Sequence, residues 1–485
     1  MKDKTTDYLI IGNSAAGLSA AASIRKNDKD GTISIISSEK YANYSKPLIT
    51  YYLAGKVSLE KIYFKSESFY KDNNFKLILG SKVDFLDEKK MLAGMSDGSQ
   101  ISYKKLLISS GGRPIIPQIR VVEGKNKVLG SIGSNGDRSN ISDTGHAGKS
   151  PDKVNTGSRN GLKGQRLLTE ENCPDIKGVF TLTTLEDAIK LKKYIGQNSL
   201  KSATILGGGL IGLKTAEAVL ELGLRITIIE LSDRILAASF DKNASEIIEN
   251  KIEENSGSIF KNTTIDEIIV TKGKLSSVVL RNGEKFDTDL LIIAVGVKPN
   301  VEFIRDRLIK LNNGIMVDEY LKTSMDNIYA AGDVTVSHDR LSNEQKNIAI
   351  WPLAIRQGGI AGMNMSGEKV KYQGGFFMNS VEILGIPSIS IGLNNLDDKA
   401  SEGVKVFSQF NPERYFYRKV TIKDDKVVGI ILVGSIERAG IYCGLISNEI
   451  DISSVAGNIA REDFGIIQLP AGYRKHLVVG EGIEV

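Results

Sequence analysis

The chain is poor in the residues that hold metals and clusters. Of its 485 residues only two are cysteines, Cys173 and Cys443, and no CxxC or CxxxxC spacing occurs. That excludes an iron–sulfur cluster of its own and a paired redox-active disulfide, and leaves two ordinary reduced thiols as the expectation. The three histidines, His146, His338 and His476, are scattered, so no metal site is expected. Long apolar runs are missing too. The stretch from Leu290 to Val295 is among the longest and falls far short of a bilayer span, so no membrane association is expected. Charge is nearly balanced, 63 Lys and Arg against 58 Asp and Glu, with a net +5. No basic–aromatic cluster marks a nucleic-acid surface. The start of the chain runs straight into a strand-like segment, and a cytoplasmic location is the expectation.

Aromatic residues are absent between Tyr103 and Phe180. Within that gap, residues 119–172 hold nine Gly, six Ser and six Asn. Such a composition covers little core and reads as a flexible insertion. A docking arm that orders on a partner is the other reading.

What is present is a repeated fingerprint. Tyr8-Leu-Ile-Ile-Gly12-Asn-Ser14-Ala15-Ala-Gly17 and Ala203-Thr-Ile-Leu-Gly207-Gly-Gly209-Leu210-Ile211-Gly212 lie 195 residues apart. Each follows an apolar run, opens a helical segment, and leads to a second apolar run ending in an acid, Glu39 and Glu230. This is the layout of a dinucleotide site, in which backbone N–H groups at a helix N-terminus take a pyrophosphate. Two such units in one chain point to electron transfer between two dinucleotides. Ser14 stands where the usual motif has its second glycine; the second unit is complete. Glu230 is followed by Leu231, so its carboxylate suits the 2′-hydroxyl of NAD over the phosphate of NADP, although Arg234 is near.

The chain divides as 1–118 and 298–365, a first dinucleotide-binding domain; 119–173, the insertion; 174–297, a second dinucleotide-binding domain; and 366–485, a C-terminal α+β domain. Strands are expected near 76–79, 82–86, 265–270, 275–280, 381–384, 415–422 and 427–433. Helices are expected over 188–195, 351–365 and 437–446, with a hairpin turn at 423–426. Gly332-Asp333 ends an apolar run, and Asp333 is either a plain turn residue or an acceptor for a polyol chain.

In order, Gly12–Gly17, Glu39, Ser110-Gly111, Gly207–Gly212, Glu230, Gly296-Val-Lys-Pro299 and Ala331-Gly332-Asp333 resemble the FAD-dependent pyridine nucleotide oxidoreductases. The C-terminal stretch Tyr417-Arg-Lys-Val-Thr-Ile and the Trp351-Pro352, Gln357-Gly358 pattern resemble the rubredoxin- and nitrite-reductase-like branch. They are also similar to flavoprotein subunits that join NAD to iron–sulfur partners in anaerobes. The resemblance implies an α/β fold of two Rossmann-like domains, for FAD and NAD, plus a C-terminal interface domain. It implies that Gly12, Ser14, Ala15, Gly17 and Glu39 hold the adenosine diphosphate half of FAD, with Val83 near the adenine. Ser110, Gly111 and Gly332 also fall to FAD, and Asp333 takes the ribityl chain. Lys46, Pro47, Thr50 and Trp351 would lie near the isoalloxazine, and the helix 351–365 would point its N-terminus at it. Gly207, Gly209, Leu210, Ile211, Gly212, Glu230 and Gly296 would hold NAD. Hydride transfer would belong to the cofactors, with no side-chain acid or base.

Three departures accompany the resemblance. The nucleophilic cysteine of the disulfide-using branches is missing before Cys173. Thr50 and Lys214 stand where a lysine and a glutamate often pair, and Lys214 is either a nicotinamide-side charge or a solvated helix residue. The insertion is extra. The function implied is electron transfer between NAD(H) and a ferredoxin- or rubredoxin-like iron–sulfur protein, within or beside a larger complex. A stand-alone NADH oxidase and a redox-sensing scaffold are the alternatives. The C-terminal domain would either dimerise the chain or dock the partner.

Overall fold

A computed structural model of the chain describes residues 4–124, 166–305, 308–396 and 403–469. The first lobe is a sheet whose strands Phe75–Ile78, Ile33–Ile36, Lys4–Ile11 and Gln100–Ile108 lie side by side and parallel. Ile328–Ala330 returns from late in the chain to pair with Gln100–Ile108. Ile33–Ile36 is buried at all four positions, as expected for a parallel strand covered on both faces. Helices Ala15–Asn27 and Trp351–Met365 cross on one face. They approach closely because glycine faces the crossing: a Cβ on Gly358 would lie 2.1 Å from the Ala16 carbonyl oxygen, and one on Gly362 2.4 Å from that of Ala20.

The second lobe repeats the plan. Val179–Thr181, Leu290–Ile293, Ser202–Leu206, Arg225–Ile229 and Ser258–Phe260 form a five-stranded parallel sheet in that order. The helix Leu185–Gln197 opens on a reciprocal cap: Thr184 accepts from Asp187 N and Asp187 accepts from the Thr184 backbone. The lobes are joined where Gly112–Pro114 and Val297–Pro299 pair antiparallel.

A meander of Ile265–Thr271, Lys274–Leu280 and Lys285–Asp287 is extended by two further strands, Arg120–Glu123 and Arg166–Leu167. These come from the two ends of the stretch read as an insertion. Ile119, Leu168 and Cys173 are buried against the meander. The middle of that stretch, residues 125–165, lies outside the described residues.

The C-terminal unit is a five-stranded antiparallel sheet ordered Met378–Ile383, Ile386–Gly392, Lys426–Val433, Phe416–Lys423, Val404–Asn411, with the helix Ala439–Ser447 on it. Its tight hairpin turns at Asp424 and Asp425, both left-handed with φ of 49° and 55°, the geometry that two-residue hairpins require.

Candidate functional site

One cavity of about 1460 Å³ runs between the first lobe, the start of the second and the C-terminal unit. It exceeds the ~300–1,000 Å³ of ordinary small-ligand pockets. The first fingerprint forms one end. Gly12 is left-handed (φ 119°), and a Cβ there would fall 2.0 Å from the Ser109 carbonyl oxygen; a Cβ on Gly17 would fall 2.0 Å from the Gly12 oxygen. Only glycine allows this turn, and it leaves the N-terminus of the Ala15–Asn27 helix without a side-chain cap. The unsatisfied N–H groups and the helix dipole make an anion cradle.

Asn13 adds a donor that motif reading passes over. Its Oδ1 accepts from the Tyr70 hydroxyl at 2.9 Å, while its buried Nδ2 has no partner, and the residue lines the cavity. A buried unpaired amide on a cavity wall is costly unless a ligand oxygen takes its hydrogen bond.

Gly12, Ser14, Ala15, Glu39, Val83, Ser110, Gly111, Gly332, Asp333, Lys46, Pro47, Thr50 and Trp351 all come to the cavity wall, as do Leu210 and Ile211. Gly17 lies beneath the wall. Gly207, Gly209, Gly212, Glu230 and Gly296 are not on it either; they build a second cradle whose helix, Leu210–Glu221, enters the cavity at its first turn. There a Cβ on Gly212 would lie 1.9 Å from the Gly207 oxygen, whereas Gly209 faces open space. Glu230 accepts from Gly208 N at 2.6 Å and from Ser232 N at 2.7 Å. Arg234 is spent on Asp233 at 2.9 Å and on the Phe240 carbonyl at 3.3 Å. Ile211 and Leu231 stand exposed beside this cradle's glycines and acid.

Two hydrogen-bonded devices hold the wall. Tyr44 donates to Glu39 at 2.6 Å and accepts from Leu185 N at 3.2 Å, so the first-lobe acid is fixed from the second lobe. Burial and the Glu39 carboxylate push the Tyr44 hydroxyl well above its ordinary value. Gln357 accepts from Gly332 N at 2.8 Å and Thr335 Oγ1 at 3.1 Å, and donates to Ser337 Oγ and the Tyr372 hydroxyl. It thereby sets the turn that presents Asp333. Burial raises the Asp333 carboxyl, and the nearby Lys46 cation opposes the rise. The uncapped N-terminus of the Trp351–Met365 helix opens at the same place, with Trp351 edge-on to Phe64 at 5.4 Å.

Lys214 is not a solvated helix residue. Its side chain is 14% exposed and is ion-paired with Glu217. Of the two thiols, Cys173 is buried away from the cavity while Cys443 lies on its C-terminal wall; both are free. Chain order gave no signal for Cys443 here, because it comes from a helix of the last domain. Among the described residues, no group of three or more His, Cys, Asp or Glu gathers to hold a metal, and no helix is long and apolar enough to cross a membrane.

Residues 6–143 and 160–358 match the model of the pyridine nucleotide-disulphide oxidoreductases. The chain belongs to this family. Residues 378–450 match the rubredoxin NAD⁺ reductase C-terminal domain. The chain is 27% identical over 451 residues to the epsilon subunit of an NADH-dependent phenylglyoxylate dehydrogenase from Aromatoleum evansii, covering 92% of this chain and 93% of the relative. It is 26% identical over 434 residues to an NADH-rubredoxin oxidoreductase from Clostridium acetobutylicum, covering 89% and 92%. Among solved structures, the NAD-dependent persulfide reductase from A. fulgidus superposes with a TM-score of 0.75 at 23% identity, over 93% of this chain and 78% of that one. That likeness carries the two-dinucleotide fold. The family uses FAD and NAD(P)H, and the protein is an FAD-dependent NAD(P)H oxidoreductase. The empty donor of Asn13, the uncapped helix and the glycine turn that a Cβ would fill suit a flavin dinucleotide's pyrophosphate.

Proposed function

We propose that the chain passes electrons between NAD(H) and a ferredoxin- or rubredoxin-like iron–sulfur protein, as a partner or subunit of a larger redox complex. One observation carries the reading. Both cradles feed one cavity, and its first-lobe wall offers Lys46, Pro47 and Thr50 with no thiol beside them. The relatives named for NADH-rubredoxin oxidoreduction and for a dehydrogenase subunit support the choice of partner.

In this reading Gly12, Asn13, Ser14, Ala15 and Gly17 seat the FAD pyrophosphate, Glu39 its adenosine ribose, and Val83 borders the adenine. Ser110, Gly111 and Gly332 shape the middle of the site, and Asp333 takes the ribityl hydroxyls. Lys46, Pro47, Thr50 and Trp351 border the ring system. Gly207, Gly209, Leu210, Ile211, Gly212 and Gly296 seat NAD(H), and Glu230 takes its ribose. With Arg234 engaged by Asp233 and the Phe240 carbonyl, no unpaired guanidinium stands at Glu230 among the described residues, which supports NADH over NADPH. Bound FAD supplies hydride exchange with a nicotinamide and one-electron exchange with an iron centre. The chain's own residues bind, orient and exclude water.

The test is anaerobic stopped-flow. NADH should bleach the flavin within milliseconds to seconds, and an oxidised rubredoxin or ferredoxin should restore the colour faster than air-saturated buffer does. Faster recovery with oxygen alone would make the protein a stand-alone oxidase. Slow bleaching together with loss of complex formation on changing Gly12 or Gly207 would make it a sensing scaffold.

A further inference from the structure

The helix that leaves the second cradle brings a cation to the cavity. Leu210, Ile211 and Lys214 all line the wall, and Lys214 Nζ lies 4.8 Å from the centroid of the Tyr51 ring, beside Thr50. Lys214 therefore stands at the Thr50–Tyr51 end of the cavity, on the helix that leads in from that cradle.

The ammonium is held on three sides. Glu217 pairs with it, the Glu382 carbonyl accepts from it at 2.9 Å, and Tyr51 lies under it. Glu217 is itself fixed, because its other oxygen accepts from Leu384 N at 3.0 Å. The cation is thus clamped between the second lobe, the first lobe and the C-terminal unit. Lysine has three N–H donors and no acceptor. Two are used on oxygens, and the third has no oxygen partner among the described residues.

The geometry points to Lys214 as a specificity-determining residue that reads the nicotinamide carboxamide through its oxygen. This rests on the NAD(H) reading of the second cradle. A carboxamide has one acceptor, the carbonyl oxygen, and one donor group, the amine. An ammonium can pair only with the first. A carboxylate at the same point would pair only with the second, and would turn the carboxamide over.

Two dinucleotide analogues separate these cases. Acetylpyridine adenine dinucleotide keeps the carbonyl and lacks the amine. Thionicotinamide adenine dinucleotide keeps the amine and has sulfur, a weak acceptor, for oxygen. Binding of each, and of NAD⁺, to the oxidised holoprotein is measured by calorimetric titration. The expected result is acetylpyridine analogue close to NAD⁺ and thionicotinamide analogue weaker by about ten-fold or more, the loss of one hydrogen bond to a charged donor. Lys214→Met should remove the difference, and Lys214→Glu should reverse it. Because the wild-type ratio is itself a result, instability of either variant leaves the test intact. Equal affinities for the two analogues in the wild-type protein overturn the inference and leave the NAD(H) reading standing. No binding of any of the three overturns both.

Discussion

At the scale of single residues, unsatisfied groups are more telling than the motif itself. Gly12 and Gly17 announce the first cradle, but Asn13 has the orphaned donor. Asn13→Asp keeps the acceptor for the Tyr70 hydroxyl and replaces the free amide with a carboxylate facing the cradle. It should weaken FAD binding by at least about ten-fold, since a hydrogen bond to a charged group contributes about 1.5–3 kcal/mol and repulsion adds to its loss. Quenching of flavin fluorescence during reconstitution of the apoprotein measures this; unchanged affinity would remove Asn13 from the cradle. The cysteines differ in the same way, by environment. Burial pushes the Cys173 thiol up to about 11. Thiol reagents attack the thiolate, so Cys173 should stay unreactive near pH 8 and gain reactivity only as pH rises toward 11 or the protein unfolds. Cys443, half-buried on the cavity wall, should supply the single fast-reacting thiol. A thiol titration of the native protein at pH 8 should count one group, and Cys443→Ser should abolish it.

Among the elements, legibility followed how strongly local chemistry agrees with the fold. The helix 351–365 was readable to the residue because Pro352 marks its first turn and small residues carry its packing face. The hairpin at 423–426 was readable for the same kind of reason. The strand Ile386–Gly392 was not. Its apolar Ile389 and Pro387 face the cavity while Ser388 and Ser390 are buried in the sheet, so the usual alternation is inverted. Functional walls break the pattern on which strand reading depends. The role of Gln357 was likewise hidden: a lone glutamine in a helix has no signature until the Gly332 turn is beside it. Gln357→Leu should leave Gly332 N unpaired in a buried place and take from the Ser337 and Tyr372 hydroxyls the amide they accept from, while the Thr335 hydroxyl keeps the Gly332 carbonyl at 2.8 Å. The expected cost is about 2–4 kcal/mol in chemical denaturation, with weaker flavin retention because the Asp333 turn loses its anchor. A loss below 1 kcal/mol with normal flavin content would show that the turn holds itself.

Over the whole molecule, several polar contacts fasten the C-terminal unit to the second lobe, Tyr415 to Glu254, Asn379 to Ser239 and Leu384 N to Glu217 among them, and Asp241 takes part in two more. Its Oδ1 caps the Lys242–Glu254 helix by accepting from Ala244 N at 3.2 Å. Its Oδ2 accepts from the Tyr417 hydroxyl at 2.7 Å and pairs with Lys419 at 3.3 Å. Lys419 is almost fully buried in the C-terminal sheet, so this one carboxylate serves both a helix end and a buried cation of another unit. Nothing in the sequence joins positions 241 and 419; the contact exists only because the chain returns across the cavity. Two substitutions separate its roles. Asp241→Asn keeps the cap but removes the charge and turns an NH2 toward the Tyr417 hydroxyl and Lys419, and should cost about 2 kcal/mol, below the 3–5 kcal/mol of a fully buried pair because Asp241 is partly exposed. Asp241→Ala removes the cap as well and should cost about 1 kcal/mol more. Urea unfolding of the holoprotein followed by both flavin fluorescence and far-ultraviolet dichroism tests the link. If Asp241 holds the units together, both signals shift together to lower urea in either variant. If only the local cap matters, Asp241→Asn leaves the midpoint where it was, and the C-terminal unit is held to the second lobe by its apolar contacts and its other hydrogen bonds.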